Sequence, residues 1–589
     1  MKVSLPYFER WFFLGLVIGV ITGLSITALY ELVKVFDFLF IKGLVGMDYP
    51  EPLGEGGSAQ FHFHAERYFL IPLAIALGGL LVGVISILVP EVEGSGTDYA
   101  IRSFHRYQGR MRWVVAPFKL LASALTIGSG GSAGEEGPSA LISSSLASSI
   151  VKFLSTSPED RRVAVAVGIG AGIGTILKAP IGGAVLSAEI LYLRDLEPEV
   201  IYPSLVASSI SYTIFGFFTG FSPIFGQYTE SFDPLRLPLY AVLGVASGLV
   251  GILYARSFYA VNNAFKRISP RFLRPAIGGA LAGCIALMAP EVLGEGTGWI
   301  NLVELGRLSS LYSPVLPTLA LLVLLPFLKI ASTSLTVGSG GSGGVYVPAL
   351  FIGAYLGGAM GLAFHSLFPG VVNSVAPFVV IGMMSVFAAA GKVPLSMIIM
   401  VTEMTESLQV LPGAMVAVAL AYLVSGSETI NGAQVPTRRD SPAHRAEYEV
   451  PVMRELKVKD CELLQLSASV DSTVEEARKL MEDNNLMSVP VTDRAGNFVG
   501  VVYMRELQGK RGDDPLRKYV LTGVPTVSPN SSLEHALEVM GRNRTRWVSV
   551  VEGDKLVGIL TLESLFKAYE REVSRKSANQ GPSYDEDAV

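Results

Sequence analysis

The chain has 589 residues, half of them hydrophobic and only 16% charged, with a net charge of −5 and a mean hydropathy of +0.46. At roughly 150 residues per domain the length alone would suggest about four soluble domains, but this composition overrides that prior. It excludes a disordered chain, a secreted disulfide scaffold and an ordinary soluble enzyme, and the near-balanced charge offers nothing to nucleic acid.

The charge is spread unevenly. Residues 436–589 hold 22 Lys+Arg and 25 Asp+Glu, whereas the 435 residues before them hold 24 and 26. An integral membrane region, 1–435, is therefore expected to precede a water-soluble tail. Cys284 and Cys461 fall in different regions and form no metal or disulfide pattern.

Trp11–Tyr30 is long enough to cross a bilayer, for which about 20 apolar residues are needed. It is read as a first membrane helix rather than a signal peptide, because many more apolar runs follow. Val200–Thr229, Leu308–Leu328 and Ser407–Ser427 contain no charged residue, and neither does the longer run Ile330–Gly391. Glycine-rich breaks interrupt the apolar sequence at Gly94–Gly96, Gly128–Gly137, Gly294–Gly298 and Gly338–Gly344. Broken helices are tolerated at membrane depth only where they are buried in protein or line an aqueous cavity, so these breaks mark internal sites.

The membrane region repeats itself. Val89–Thr97 (VPEVEGSGT) matches Ala289–Thr297 (APEVLGEGT). Lys119–Pro138 (KLLASALTIGSGGSAGEEGP) matches Lys329–Pro348 (KIASTSLTVGSGGSGGVYVP), and Lys178–Glu189 matches Lys392–Glu403. Three blocks in one order define two homologous halves, about 10–225 and 236–435. Such halves with interrupted helices resemble transporter architecture, with substrate held near the midplane.

Helix starts expose unpaired N–H groups and bind anions without a full cation. Pro138 and Pro348 suit the first turn of a helix. Glu136, two residues before Pro138, is placed where its carboxylate can occupy an anion site and leave it when protonated. Gate and simple helix cap are both open readings of it. Glu135 is expected at a solvated edge. Glu189 and Glu403 recur in the two halves, which favours a shared role such as bonding a neighbouring helix start. Lys119 and Lys329 also recur and are expected to snorkel or to form buried ion pairs, with a contribution of Lys119 to the positive potential as the alternative. His62 and His64 lie in an early loop, and His365 and His444 are isolated.

At these residues the sequence closely resembles the CLC family of chloride channels and chloride/proton antiporters. Gly94-Ser95-Gly96 matches one family element. Gly134–Pro138 matches GxEGP, and Gly344–Pro348 matches GxFxP with Tyr346 in place of Phe. The resemblance implies a mainly α, inverted-repeat membrane fold of about 18 helices and a homodimer with one pore per subunit. It implies gating by Glu136 and chloride held by Ser95 and by the N–H groups of Val345 and Tyr346. Gly94, Gly96, Gly134, Gly137 and Gly344 are the glycines of the anion loops. Thr97-Asp98 also replaces the usual residues after Gly96, and two further departures bear on function. Asn431 stands where the family usually supplies a tyrosine hydroxyl, leaving it a weak or absent chloride ligand. Ile190 stands where many proton-coupled members carry a second glutamate. Glu136 and Glu189 are then the proton-path candidates. Passive, channel-like chloride conduction is slightly favoured over proton-coupled antiport, with another anion such as nitrate or fluoride a lesser alternative. No cofactor is required.

Residues 436–455 read as a linker, and Arg438, Arg439 and Arg445 just after the last membrane helix suggest a cytoplasmic tail. A second repeat follows: Ser472–Met481 matches Ser531–Met540. The two units, 456–511 and 516–572, resemble a pair of CBS motifs, an α/β module able to bind adenine nucleotides. The family's usual ribose-binding Asp is replaced at the matching positions by Glu506 and Ser564. Glu506 and Thr561 are the nucleotide candidates, and a structural or dimerising tail is the favoured reading. Residues 573–589 are expected to be disordered. The chain lacks the His-Glu-x-x-His of a membrane metalloprotease and the phosphate loop of an ATP-driven pump, so no enzyme is expected.

Overall fold

The computed structural model describes residues 6–58, 60–154, 157–444 and 451–578. The chain divides into two units, Met1–Ala443 and His444–Val589.

The first unit is helical. Its first half contains α1 (Tyr7–Asp37), α2 (Ile71–Leu88), α3 (Thr97–Arg106), α4 (Val115–Gly128), α5 (Glu136–Phe153), α6 (Pro158–Ile176), α7 (Pro180–Glu189) and α8 (Ile201–Thr219). The second contains α9 (Leu237–Phe265), α10 (Arg274–Ala286), α11 (Thr297–Glu304), α12 (Thr318–Gly338), α13 (Tyr346–Leu367), α14 (Ala376–Gly391), α15 (Pro394–Met404) and α16 (Leu411–Ser425). Among the described residues six helical segments are long and apolar enough to cross a membrane, the first spanning Tyr7–Val45 and including Trp11–Tyr30. The charge-free run Ile330–Gly391 resolves into the end of α12, α13 and α14, with turns between them.

Small residues let these helices touch. Gly15, Gly19 and Gly23 repeat every fourth residue on α1 and face α8. A Cβ on each would lie 3.0, 2.7 and 2.9 Å from the carbonyl oxygens of Pro203, Ala207 and Ser211. Such backbone contact replaces the hydrophobic drive that lipid does not supply.

The two halves bind each other reciprocally. Glu189, ending α7, accepts the N–H groups of Leu395 and Ser396 at 3.0 and 2.8 Å, at the start of α15. Glu403, near the end of α15, accepts those of Ile181 and Gly182 at 3.0 and 2.7 Å, at the start of α7. Each carboxylate thus satisfies the unpaired donors of the other half's helix.

The lysines are reciprocal as well, but they neither snorkel nor pair with acids. Lys119 and Lys329 are wholly buried. Lys119 Nζ donates to the carbonyls of Val92 and Gly94, and Lys329 Nζ to those of Val292 and Gly294, each pair at 3.0 and 2.8 Å. The turns before α3 and α11 expose carbonyls that no helix can use, and an ammonium with three donors satisfies two of them.

Pro436–Ala443, expected to open a linker, belongs to this unit. The Arg194 N–H donates to the Pro436 carbonyl at 3.1 Å and the Arg438 N–H to Asp195 at 2.9 Å. Arg445 lies outside the described residues.

The tail unit holds α17 (Pro451–Glu455) and two similar halves. Each has a three-stranded sheet, with one parallel and one antiparallel pairing: β1 (Ala468–Ser469), β2 (Ser488–Thr492) and β3 (Phe498–Tyr503), then β4 (Thr526–Val527), β5 (Trp547–Glu552) and β6 (Lys555–Thr561). The helices α18 (Val474–Asp483) and α19 (Met504–Leu507) accompany the first sheet, α20 (Leu533–Arg542) and α21 (Leu562–Ala578) the second. Thr473 and Glu476 cap α18 reciprocally, as the Ser-Thr-x-x-Glu sequence predicts. The stretch 573–578, expected to be disordered, continues α21; the rest of that expectation, 579–589, lies outside the described residues.

Candidate functional site

All four glycine-rich breaks meet in the first unit and bond to one another. Gly94 N–H donates to the Gly341 carbonyl at 3.0 Å, Gly343 N–H to Gly94 at 3.3 Å, and Gly294 N–H to Gly130 at 3.2 Å. Gly134 and Gly344 exchange bonds of 3.0 and 2.6 Å. Backbone released from helices inside a membrane is thereby paired. Gly94 and Gly96 have φ of +72° and +89°, conformations that side chains disfavour.

These pairings bring the starts of α3, α5 and α13 together. The Glu136 side chain is 0% exposed, and its Oε1 accepts the Tyr346 N–H at 2.6 Å. The N–H of Val347 also faces the carboxylate. The seat exists because Gly134 and Gly344 have no side chain. A Cβ on Gly134 would lie 1.9 Å from Glu136 Oε2, and one on Gly344 would lie 2.0 Å from Oε1. Gly137 brings the backbone of α5 against the Ser95 carbonyl, 2.5 Å from where its Cβ would be. A carboxylate therefore occupies a nest of helix-start N–H groups, a site suited to any small anion.

Cavities lie to either side of this seat. One, of ≈ 210 Å³, is lined by Ser95, Gly96, Asp98 and Val345. At its rim Glu91 and Glu93 pair with Arg112 and Arg271, at 2.7 and 2.8 Å. The other, of ≈ 30 Å³, is lined by Glu136, Val347 and the start of α11 at Thr297. Ser95 and Val345 thus face one side, and Glu136 and Val347 the other.

Asn431 is buried, and its Nδ2 donates to the Tyr346 hydroxyl at 2.5 Å. The Tyr346 ring stacks on Phe387, with centroids 4.4 Å apart. Asn431 acts on Tyr346, the residue whose N–H holds Glu136. Tyr254, which the sequence reading missed, donates its hydroxyl to the Val345 carbonyl at 2.9 Å and fixes the same turn.

Glu135 is not at a solvated edge. It is 5% exposed, and its N–H donates to Glu295 Oε1 at 2.8 Å. Two adjacent glutamates read locally as a surface turn, but the long-range Gly134–Gly344 pairing carries both inside. Glu295 itself was passed over, although the match of GEGT with GSGT places it at the repeat equivalent of Ser95. Ile190 is buried among apolar residues, and both oxygens of Glu189 are engaged in capping α15.

In the tail the two nucleotide candidates lie in different halves. Glu506 is half-buried and meets Arg505 at 3.2 Å. The Thr561 hydroxyl accepts the Ser564 N–H at 3.1 Å and caps α21.

The fold and the seat describe a membrane protein of interrupted helices whose starts converge on a nest suited to a small anion. The chain matches the family model of the voltage gated chloride channels over residues 78–426, more than half its length, and belongs to that family. Residues 460–510 and 516–571 match the CBS domain. The H(+)/Cl(-) exchange transporter ClcA of Salmonella schwarzengrund is 29% identical over 420 residues, which cover 68% of this chain and 82% of that protein. A putative chloride channel protein, ClcB-like, of Ralstonia nicotianae is 30% identical over 381 residues, covering 63% and 86%. A slow cyanobacterial Cl-/H+ antiporter shares the fold at 22% identity and a TM-score of 0.57, covering 72% of this chain and 96% of that one. A eukaryotic CLC transporter shares it at 19% identity and 0.55, covering 95% and 98%. The protein is thus an integral membrane CLC-family chloride transport protein with the inverted-repeat fold and a CBS tail.

Proposed function

We propose that this protein is a proton-coupled chloride antiporter, acting as a homodimer, in which Glu136 exchanges places with chloride. The observation that carries the reading is the Glu136 carboxylate seated on the Tyr346 N–H at the meeting of three helix starts. A carboxylate there competes with the anion while charged, and protonation weakens its hold on the N–H groups. One group then handles both ions, which is what coupling requires. The exchange transporters among the relatives favour antiport over the channel-like conduction expected from Ile190.

Chloride approaches the seat along Ser95 and the turn at Val345, and Asn431 contributes by holding Tyr346. With Ile190 apolar and Glu189 engaged as a cap, protons on the Ser95 side reach the site through another group. Asp98 lines that cavity and accepts the Ala433 N–H at 3.2 Å, whereas Glu91 and Glu93 are bound to arginines. Asp98 is assigned that part. The tail is assigned a structural role, because the Thr561 hydroxyl is already committed to its helix.

The test is a pH gradient imposed across proteoliposomes with equal chloride inside and out. Chloride accumulation against its own gradient is expected from the wild type, and it falls at least about tenfold in Asp98→Asn. Chloride that never moves uphill would make the protein a passive conductor.

A further inference from the structure

The mechanism above uses Glu136, but three more glutamates line the cavity beside it. Glu55, Glu135 and Glu295 share with Glu136 the small cavity of ≈ 30 Å³. They arrive from separate places: the turn after α1, the start of α5 and the turn before α11. Their placement is enforced. Glu295 Oε1 accepts the Glu135 N–H at 2.8 Å, and a Glu55 oxygen accepts the Tyr30 hydroxyl at 2.7 Å.

Two buried oxygens remain unmatched. Oε2 of Glu135 has no hydrogen-bond partner among the described residues, and Oε2 of Glu136 has none in bonding geometry, the Val347 N–H only facing the carboxylate. Buried polar atoms left unpaired in native proteins call for an explanation, and an acceptor is matched by something that brings hydrogen. A chloride ion brings none and is repelled. A metal ion finds no suitable group of ligands among the described residues. A proton, carried on a carboxyl group or a water, fits both oxygens.

The surrounding charges support this. Among the described residues the one buried cation acting on Glu136 and Glu295 is the Lys329 ammonium, which is itself bonded to the carbonyls of Val292 and Gly294, so a single positive charge faces four carboxyl groups. Lys34 and Lys42 stand further out, with Asp37, Tyr49 and Glu51, around a second cavity of ≈ 160 Å³. That cavity shares Tyr30, Glu55, Glu135 and Glu295 with the first, so carboxylates continue from its mouth to Glu136. Carboxylates crowded into one water-poor space do not all ionise; they share protons. The inner cavity exceeds the roughly 10–15 Å³ that one water needs.

We propose that Glu295 passes protons between Glu136 and the solvent on this side, with the Glu135 N–H fixing its place. The Glu295 carboxyl gives its proton to the Glu136 carboxylate, directly or across one water. Glu295, now anionic, takes another proton from solvent through the outer cavity, and the reverse sequence releases protons. Only O–H bonds form and break. The proposal rests on the exchanger reading of Glu136.

The experiment is paired chloride and proton flux of the full chain in proteoliposomes. Glu295→Gln keeps an oxygen for the Glu135 N–H but carries no proton. Proton flux is expected to fall at least about tenfold in it and to recover in Glu295→Asp. Wild-type proton flux and pH profile in Glu295→Gln would overturn the proposal. If the wild type itself moves chloride without protons, the exchanger reading falls, and the relay is read from the response of chloride flux to a pH step on the Glu136 side. A slower response in Glu295→Gln supports the relay, and an unchanged one overturns it. Infrared spectra cover the case in which the Gln variant does not fold. The protonated-carboxyl band should shift between wild type and Glu295→Asp, and identical bands would overturn the assignment.

Discussion

At the residue scale the account turns on one carboxylate and the two glycines that make room for it. Glu136→Gln mimics a permanently protonated side chain. It is expected to abolish proton movement while chloride still passes, with flux no longer responding to pH. A wild-type pH response in that variant, recorded with a chloride electrode, would remove Glu136 from its role. In the wild type, flux should rise as the pH on the Glu136 side falls, because protonation frees the seat. Gly344→Ala tests the seat itself. The atoms nearest its new Cβ all belong to the Glu136 carboxylate, so the substitution displaces the carboxylate before it disturbs backbone. Several-fold faster uncoupled chloride flux is expected, and unaltered coupling would mean that Glu136 does not work from this position. Glu136 was legible in the sequence because a helix-start motif flanks it. Glu295 was not, because its partner Glu135 and its cavity neighbour Glu55 lie 160 and 240 residues away in a chain read locally.

At the element scale the broken helices are held by reciprocal bonds between the halves. Lys119→Met leaves the Val92 and Gly94 carbonyls without their ammonium donor. The cost of a buried unsatisfied group is about 1–3 kcal/mol, so the purified protein should melt at lower temperature. Lys329→Met should do the same, since its partners are equivalent. Two unaffected melting curves would contradict the role given to these lysines. The drifting offsets of the repeat revealed which elements correspond, and the recurrence of Glu189 and Glu403 indicated a common role. The sequence did not show that the four glycine breaks pair with one another, because backbone pairing leaves no side-chain signature. The lysines were misread for a related reason: their partners are carbonyls, which every residue carries.

At the scale of the whole molecule two pseudo-equivalent halves place Ser95 on one side of the seat and Glu295 on the other. A hydroxyl donates to an anion, and a carboxylate holds a proton. On the proposed reading, the duplicated frame offers a hydroxyl to the anion on one side and a carboxyl group to the proton on the other. This asymmetry suits exchange better than a uniform pore. The tail was the most readable part, since a soluble α/β repeat carries its capping boxes and strand patterns locally. The buried thiol of Cys461, pushed up to about 11 by burial, offers a reporter for it. Alkylation at neutral pH should be slow until the tail unfolds, because the thiolate is the reactive form. Cys284 is exposed, so the test is made in Cys284→Ser, where prompt labelling of the folded protein would contradict the burial of Cys461.

Bromide tests whether Glu136 and the transported anion compete for one seat. Crystals of wild type and of Glu136→Gln soaked in bromide should differ at one place. The account predicts an anomalous peak beside the Tyr346 N–H in Glu136→Gln and none there in the wild type at alkaline pH. Bromide on that N–H in the wild type with Glu136 still seated, or no bromide there in Glu136→Gln, would contradict it.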